Sequence, residues 1–365
     1  MFNIDFNNGI VDGYDNEFVL DLSINFISIL RSKLPLIISG KKSQVDREFI
    51  EFLLIESFRS LLWNMPPQAF YLLYRSDMRI REALPLKYLN SYGVYNRFRQ
   101  KRKNYRRYFD RFIKRNLVGK IDEMYALDTF ILEVDLRKLK NATKIKSGKF
   151  DVEFLYKPGE GTVAGVICAV LVNLSNFSLV EIKFYSKHAK KVDIWEDMVL
   201  NTIGTKTGEI KTVIADSGFF CYDIFKVSKE YRIIPVIKTR KNINLDKFRK
   251  IAGTMQIKLE FFENKSIKLA QVLIEDIRMI VAKTVENSLN YDKGFAKIRS
   301  GIEMLFKVAK RVFKQNNVHV YYTDKMHYKI YFTLYISSIL IQFCKEQNVS
   351  INRLTERVEN DISIY

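Results

Sequence analysis

The sequence predicts an α/β protein: a mixed five-stranded sheet flanked by helices, preceded by an all-helical N-terminal region. Three observations support this fold class. Apolar residues recur at helical spacing up to about residue 120. After that point, short runs rich in β-branched and aromatic residues appear in the order of three strands, a helix, a strand, a helix and a strand. A further helical pattern begins only at about residue 298, so an insertion separates it from the last strand.

The N-terminal helices can be located from their ends. Ser43 and Asp46 have the spacing of a capping box, in which each side chain binds the backbone N–H of the other residue, so a helix should begin there. Phe49 should lie on the buried face of this helix, and Pro66 should end the segment. A second helical pattern follows at residues 70–74.

The segment 95–117 is strongly basic, with ten Lys or Arg among its twenty-three residues and a single acid, Asp110. Its aromatic residues recur at helical spacing and can pack inward, which leaves the cations outside. These outward cations are Arg99, Lys101, Arg102, Lys103, Arg106, Arg107 and Arg111. A solvated helix face normally mixes both signs of charge, whereas phosphates would neutralise an all-positive one. We therefore predict that residues 1–120 form a DNA-binding region.

The sheet elements follow in a regular order. We predict strand-like runs at 126–134, 150–156, 162–174 and 179–185, three of which belong to the five-stranded sheet, then a helix at 193–200, a strand at 212–215, a helix at 219–231 and a strand at 233–238. The glycines at 159, 161 and 165 match neither a Walker loop nor G-x-G-x-x-G, so this segment is better interpreted as a hairpin turn.

The rest of the chain divides into an insertion and a helical end. We predict a sheet domain at 121–320, interrupted by an insertion at about 242–288, and a C-terminal helical segment at 321–365. The insertion contains a basic patch and two strand-like runs, at 256–262 and 268–274.

The charge of the chain indicates its partner. Sixty Lys and Arg against forty-one Asp and Glu give a formal net charge of +19 over 365 residues, so nucleic acid or an anionic membrane surface would relieve self-repulsion. The chain lacks the roughly 18 consecutive apolar residues of a spanning helix and a secretion signal at its start. We therefore expect a cytoplasmic, nucleoid-associated protein without a membrane partner. The three cysteines and three histidines lack zinc-ligand spacing.

One helix face near the end of the sheet domain combines an acid with cations. At about 100° per residue, Arg299, Glu303, Lys310 and Lys314 fall on one side of a helix. A single carboxylate among cations suits a site that holds a metal ion and phosphates. Taken alone, a solvated face with a Glu303–Lys307 pair explains the pattern equally well.

Two upstream aspartates favour a functional site on this helix over a solvated face. Asp128 interrupts one apolar run and Asp216 closes another, at the segment Ala-Asp-Ser-Gly-Phe-Phe. The ordered acids and the pattern R-x3-E-x6-K at Arg299, Glu303 and Lys310 resemble the ribonuclease H-like catalytic domain of DDE transposases of the IS4 type, over roughly residues 121–315. The longer family signature has a tyrosine where this chain has Ala296.

The resemblance implies a mechanism and a set of partners. Asp128, Asp216 and Glu303 would hold two Mg²⁺ or Mn²⁺ ions, with Asp128 shared between them; such ions prefer carboxylate ligands. Arg299 and Lys310, with Lys314, would bind phosphates of the DNA. The family cuts double-stranded DNA at the terminal repeats of its element and transfers the freed 3′ ends to target DNA. Joining two ends suggests a homodimer on DNA.

Several alternatives stay open from the sequence. The chain could be a ribonuclease H-like nuclease that cuts without joining strands, or a host-adopted DNA-binding protein that has lost its activity. Asp216 before Ser-Gly could cap a turn or helix, and Asp128 could pair with a lysine. Asp122, Glu133 and Asp135 are rival first acids.

Overall fold

The protein was analysed as a computed structural model that describes residues 4–5, 10–11, 16–37, 43–62, 65–101, 124–134, 152–157, 159–237, 251–259, 265–274, 277–281, 301–313, 323–352 and 354–355. The chain divides into two compact units. The first, here called the helical unit, comprises Met1–Arg115, Phe306–Asn317 and Asp324–Tyr365. The second, the sheet unit, comprises Asn116–Leu305 and Val318–Thr323.

The helical unit begins with a short antiparallel strand pair and continues with five helices. These elements are β1 (Ile4–Asp5), β2 (Ile10–Val11), α1 (Asn16–Ile37), α2 (Gln44–Leu61), α3 (Pro67–Ser76), α4 (Met78–Ala83) and α5 (Tyr92–Lys101). Large aromatic side chains form the core of the unit: Phe26, Phe49, Phe52 and Phe58 are fully buried. Phe52 stacks on Tyr95, with ring centroids 5.7 Å apart, and so joins α2 to α5.

The predicted capping box at the start of α2 is confirmed. The Asp46 backbone N–H donates to Ser43 Oγ at 3.2 Å, and the Ser43 backbone N–H donates to Asp46 Oδ2 at 3.1 Å. Two N–H groups that the helix leaves without intrahelical acceptors are thereby satisfied.

A buried carboxylate of α2 holds the loop between α4 and α5. Glu51, which is 9% exposed, accepts backbone N–H bonds from Lys87 at 2.8 Å, Tyr88 at 2.9 Å and Leu89 at 2.6 Å. Burying a charge is unfavourable unless it is hydrogen-bonded, and these donors satisfy that requirement.

The described strands of the sheet unit form one nine-stranded mixed sheet. They are β3 (Met124–Glu133), β4 (Glu153–Lys157), β5 (Gly161–Asn173), β6 (Leu179–Tyr185), β7 (Lys211–Ala215), β8 (Ile233–Ile237), β9 (Ile251–Leu259), β10 (Lys265–Ile274) and β11 (Ile277–Val281). The sheet order is β4-β5-β3-β7-β8-β11-β10-β9, and β6 pairs with β5. β3 runs antiparallel to β5 and parallel to β7, and β7 runs parallel to β8.

The predicted mixed α/β fold is confirmed, and the sheet is larger than the five strands expected. The strands β6-β5-β3-β7-β8 form that five-stranded core. The predicted run at 150–156 corresponds to β4, a short strand beside β5 in addition to these five. β11 of the insertion pairs with β8 and so extends the sheet through the insertion. The basic patch of the insertion, Lys247, Arg249 and Lys250, lies outside the described residues.

The hairpin turn between β4 and β5 is also confirmed. Gly159 and Gly161 adopt φ values of 85° and 82°, which side chains other than glycine rarely adopt. Lys157 pairs with Gly161 at the base of the turn.

Two helices of the sheet unit pack on one face of the sheet. The first, α6 (Lys191–Trp195), continues as one π-helical turn (Glu196–Leu200) and a last turn (Asn201–Ile203). The second, α7 (Tyr222–Glu230), follows a short 3₁₀ turn. Trp195 is fully buried, and its Nε1–H donates to Ser228 Oγ of α7 at 2.9 Å.

Two further helices complete the described chain: α8 (residues 301–311) and α9 (Thr323–Glu346). The boundary between the two units falls inside α8, after Leu305. In the helical unit, Phe343 of α9 meets Phe26 of α1 edge to face, with ring centroids 5.5 Å apart. Across the described part of the chain, no helix has the length and apolar character needed to cross a membrane.

Candidate active site

The sheet places Asp128 and Asp216 next to each other. Leu127 of β3 is the register partner of Ala215 of β7, and these strands are parallel, so the two aspartates follow at the same level on adjacent strands. β7 ends at Ala215, and Asp216 is therefore the first residue beyond it. In open α/β sheets ligands bind outside the carboxyl ends of strands, which is where Asp216 lies.

Asp128 is almost enclosed by the protein. Asp128 is 7% exposed, and its Oδ1 accepts a hydrogen bond from the backbone N–H of Thr129 at 2.7 Å. A carboxylate with so little access to water is stable as an anion only beside hydrogen-bond donors or positive charge.

Asp216 is half-buried and begins a 3₁₀ turn, Ser217–Phe219. The backbone of Asp216 accepts the Phe219 N–H at 2.9 Å, but its side chain makes no capping hydrogen bond to the turn. Ser217 Oγ donates to Asp216 Oδ1 at 3.4 Å. The carboxylate of Asp216 therefore does not act as a helix cap, in contrast to that alternative.

Lys191, at the start of α6, brings a positive charge to the same place. Its Nζ donates to Thr129 Oγ1 at 2.7 Å and lies 4.4 Å from the centroid of the Phe219 ring. Burial lowers the pKa of Lys191, whereas the charges of Asp128 and Asp216 act in the opposite direction. We call Asp128, Asp216 and Lys191, with Thr129 and Phe219, the acid-pair cluster.

Gly218 lies beside the acid-pair cluster and adds no side chain to it. A Cβ at this position would lie 3.5 Å from Lys191 Cε and 3.7 Å from Asp216 Oδ2, which is ordinary van der Waals contact. Because glycine has no side chain, nothing from this residue separates the lysine from the carboxylate.

No sequence pattern indicated Lys191. It is one of two consecutive lysines in a chain rich in lysine, and no spacing connects it to Asp128 or Asp216. Its role depends on how α6 packs against the sheet, which only the fold defines. The lysine partner considered for Asp128 corresponds to this residue.

Glu303 lies on the exposed surface of α8, while Ile302 and Leu305 on the same helix are buried. Lys310 is exposed too, and Lys307 donates to Asn352 Oδ1 at 2.8 Å. Within the part of the chain that the structure describes, no three His, Cys, Asp or Glu side chains form a group that could hold a metal ion. The structure thus brings Asp128 and Asp216 together but does not gather Glu303 with them.

Most of the predicted DNA-binding cations cannot be placed. Arg99 is exposed on α5. The others lie outside the described residues: Arg299, Lys314, Arg102, Lys103, Arg106 and Arg107.

One rival for the first acid is accounted for. Glu133 forms an ion pair with Lys157 of β4, which also pairs with Glu160 at 2.7 Å. Asp122 and Asp135 lie outside the described residues.

The chemistry of the acid pair suits a hard divalent cation. Asp128 and Asp216 supply only carboxylate oxygens, the ligands that Mg²⁺ and Mn²⁺ prefer. Two like charges at one site repel each other, and a cation removes that penalty. The donor set therefore fits such an ion.

The strand order and the paired aspartates define a ribonuclease H-like α/β protein. The sequence model of the family described as "Transposase DDE domain" matches residues 131–339, more than half of the chain. The chain belongs to this transposase family. The matched range contains Asp216 and Glu303 and begins three residues after Asp128.

The chain was also compared with curated protein sequences and with solved structures. No curated protein sequence matches the chain. Among solved structures, it is similar to a piggyBac transposase synaptic complex with hairpin DNA, with a TM-score of 0.45 and 11% sequence identity over 95% of this chain and 80% of that chain.

Proposed function

We propose that this transposase is of the IS4 type, cuts double-stranded DNA at the ends of its own insertion element, and transfers the freed 3′ ends to target DNA. The observation that supports this most directly is the register of β3 and β7, which sets Asp128 and Asp216 side by side at the end of β7. Two adjacent carboxylates supply part of the metal-ligand set that phosphodiester cleavage uses.

In this proposal Asp128 and Asp216 hold divalent cations, Mg²⁺ or Mn²⁺, and Glu303 supplies the third carboxylate. When bound, two such ions would activate an oxygen nucleophile and stabilise charge on the transferring phosphorus. The protein itself holds the carboxylates in register, keeps Asp128 away from water, and places Lys191 beside both acids. Exposure of Glu303 on α8 leaves its carboxylate accessible to the DNA and to ions.

DNA binding would rest on the positive charge of the chain. The net charge of +19 favours a polyanion, and Arg99 on α5 with the basic segment that follows it would contact phosphates. Lys310, Arg299 and Lys314 would hold the strand beside Glu303. We further propose a homodimer on DNA and a cytoplasmic, nucleoid-associated location.

The decisive experiment incubates purified full-length protein with DNA carrying the ends of its own element, with Mg²⁺, and maps the 3′ ends formed. We expect cuts at the element ends followed by joined products. Asp216→Asn and Glu303→Gln should abolish both while DNA binding survives, and Asp223→Asn, an exposed acid on α7, should retain activity. Cuts without joined products would identify a nuclease, and unchanged activity in Glu303→Gln would overturn the three-carboxylate site.

A further inference from the structure

We propose that Lys191 is a substrate-positioning residue whose ammonium binds a phosphate oxygen of the DNA strand held at Asp128 and Asp216. This inference rests on the proposed function of the same site, and it assigns a role to a residue that the sequence pattern did not indicate.

The ammonium of Lys191 has a fixed position. Its Nζ donates to Thr129 Oγ1 at 2.7 Å and lies 4.4 Å from the centroid of the Phe219 ring. The helix that carries it is anchored as well, because the Trp195 side chain is fully buried and bonded to Ser228. A lysine already ordered in this way loses little further freedom when it binds a ligand.

The charges of the acid-pair cluster explain why a phosphate would be the partner. Burial lowers the pKa of Lys191, and the charges of Asp128 and Asp216 counteract this by favouring its ammonium form. Divalent cations bound to these carboxylates would take over their negative charge and repel the ammonium. Lys191 then needs another anion, and the phosphodiester of a bound strand supplies one at the same location.

The space beside Lys191 is consistent with this role. Gly218 adds no side chain beside Lys191 Cε and Asp216 Oδ2, which lie 3.5 Å and 3.7 Å from the position that its Cβ would take. Asp216 is half-buried, so part of this residue is reachable from solvent.

A purely structural role makes a different prediction. If Lys191 only balanced the two aspartates, its replacement would change the stability of the protein and leave contacts with DNA unaltered. The neighbouring Lys190 provides the matched control, since it is exposed, carries the same charge and precedes Lys191 directly.

The test measures binding of the full-length protein to a short duplex carrying the end of the element. Binding is recorded with Mg²⁺ at several salt concentrations, in the Glu303→Gln background so that the DNA stays intact. We expect Lys191→Met to weaken binding and to reduce the salt slope by about 0.9, the value for one lost phosphate contact. Lys190→Met should change neither quantity, and Lys191→Arg should keep the slope. Thermal unfolding of each variant verifies that it is folded.

The outcomes separate this inference from the proposed function. Equal slopes for Lys191→Met and Lys190→Met would overturn the inference, even where the wild-type chain cleaves DNA. A reduced slope for Lys191→Met alone supports the phosphate contact, even where the wild-type chain fails to cleave; that failure would count against the transposition chemistry only. Where the wild-type chain cleaves, Lys191→Met should also lower the single-turnover cleavage rate by about tenfold or more.

Discussion

The hydroxyl of Thr129 accepts a hydrogen bond from the ammonium of Lys191 at 2.7 Å, and Thr129 directly follows Asp128 on β3. One strand therefore supplies both an acid of the candidate site and the group that fixes the nearby lysine. Thr129 also donates its backbone N–H to Asp128 Oδ1, so both its polar groups act within the acid-pair cluster.

Thr129→Val tests this relationship. Valine has nearly the same shape but cannot accept the hydrogen bond from Lys191, so we expect the free energy of unfolding to fall by about 1 kcal/mol. Urea unfolding measures the change. Thr162→Val on β5, where the threonine is exposed, is the control and should stay within about 0.5 kcal/mol of the wild type. Equal stability of Thr129→Val and wild type would show that the bond is weak.

Gly165→Ala tests the close approach of β3 and β5. A Cβ at Gly165 would lie 2.3 Å from the Leu132 carbonyl oxygen, a backbone atom that cannot move without disturbing the strand pairing. We expect a loss of roughly 1–3 kcal/mol in the free energy of unfolding.

Gly93→Ala is the matched control for this prediction. Gly93 lies in α5, and apart from its chain neighbours and the adjacent backbone of that helix, no atom lies within 4 Å of the position of its Cβ. The same substitution should therefore stabilise the protein by about 0.5–1 kcal/mol. Destabilisation of similar size at both positions would contradict the steric explanation.

Glu51→Gln tests the carboxylate that holds the loop before α5. An amide would offer one oxygen, and its NH₂ group would face the N–H donors of Lys87, Tyr88 and Leu89. We expect the free energy of unfolding to fall by about 2–3 kcal/mol. Glu48→Gln, one turn earlier on α2, should have little effect because the half-buried Glu48 accepts a bond from the Gln44 side chain, which an amide oxygen can also accept. Thermal and urea unfolding of the two variants would decide the matter.

The lowered pKa of Asp197 predicts that the stability of the protein depends on pH. Burial raises its pKa, but hydrogen bonds from Lys183 at 2.6 Å and Tyr185 at 2.8 Å outweigh this effect, and the pKa is lowered overall. A carboxylate whose pKa is lowered by folding contributes stability above its unfolded value of about 3.9, and that stability is lost as the pH falls below it.

Asp197→Asn should remove this contribution. We expect the variant to be less stable than the wild type at pH 7, and the difference to shrink as the pH falls below about 4. Urea unfolding across this pH range measures the effect, with Glu196→Gln on the same π-helical turn as the control. A difference that stays constant with pH would show that the loss comes from packing instead.

Local features were predictable where the residues that cause them are close in sequence. The capping box at Ser43 and Asp46, the glycine turn before β5 and the apolar run that ends at Asp216 each depend on neighbouring residues. Sequence patterns of this kind define strands and helix ends directly.

Features that depend on distant contacts were not predictable in the same way. Lys191 reaches Thr129 across sixty-two positions, and no periodicity records that contact. The place of β11 beside β8 was missed for a related reason: these two strands pair in parallel, through Ile280 with Val236, and parallel strands far apart in sequence share no turn signal. Only the assembled sheet reveals either feature.

The pairing of β11 with β8 has a practical consequence for anyone who trims this protein. A shortened version lacking residues 242–288 would lose β11, so β8 would become an edge strand. Its unpaired backbone N–H and C=O groups could then pair with a strand of another molecule. Such a fragment would tend to self-associate in solution. The insertion therefore covers the edge of β8, and a minimal catalytic fragment would need to keep it.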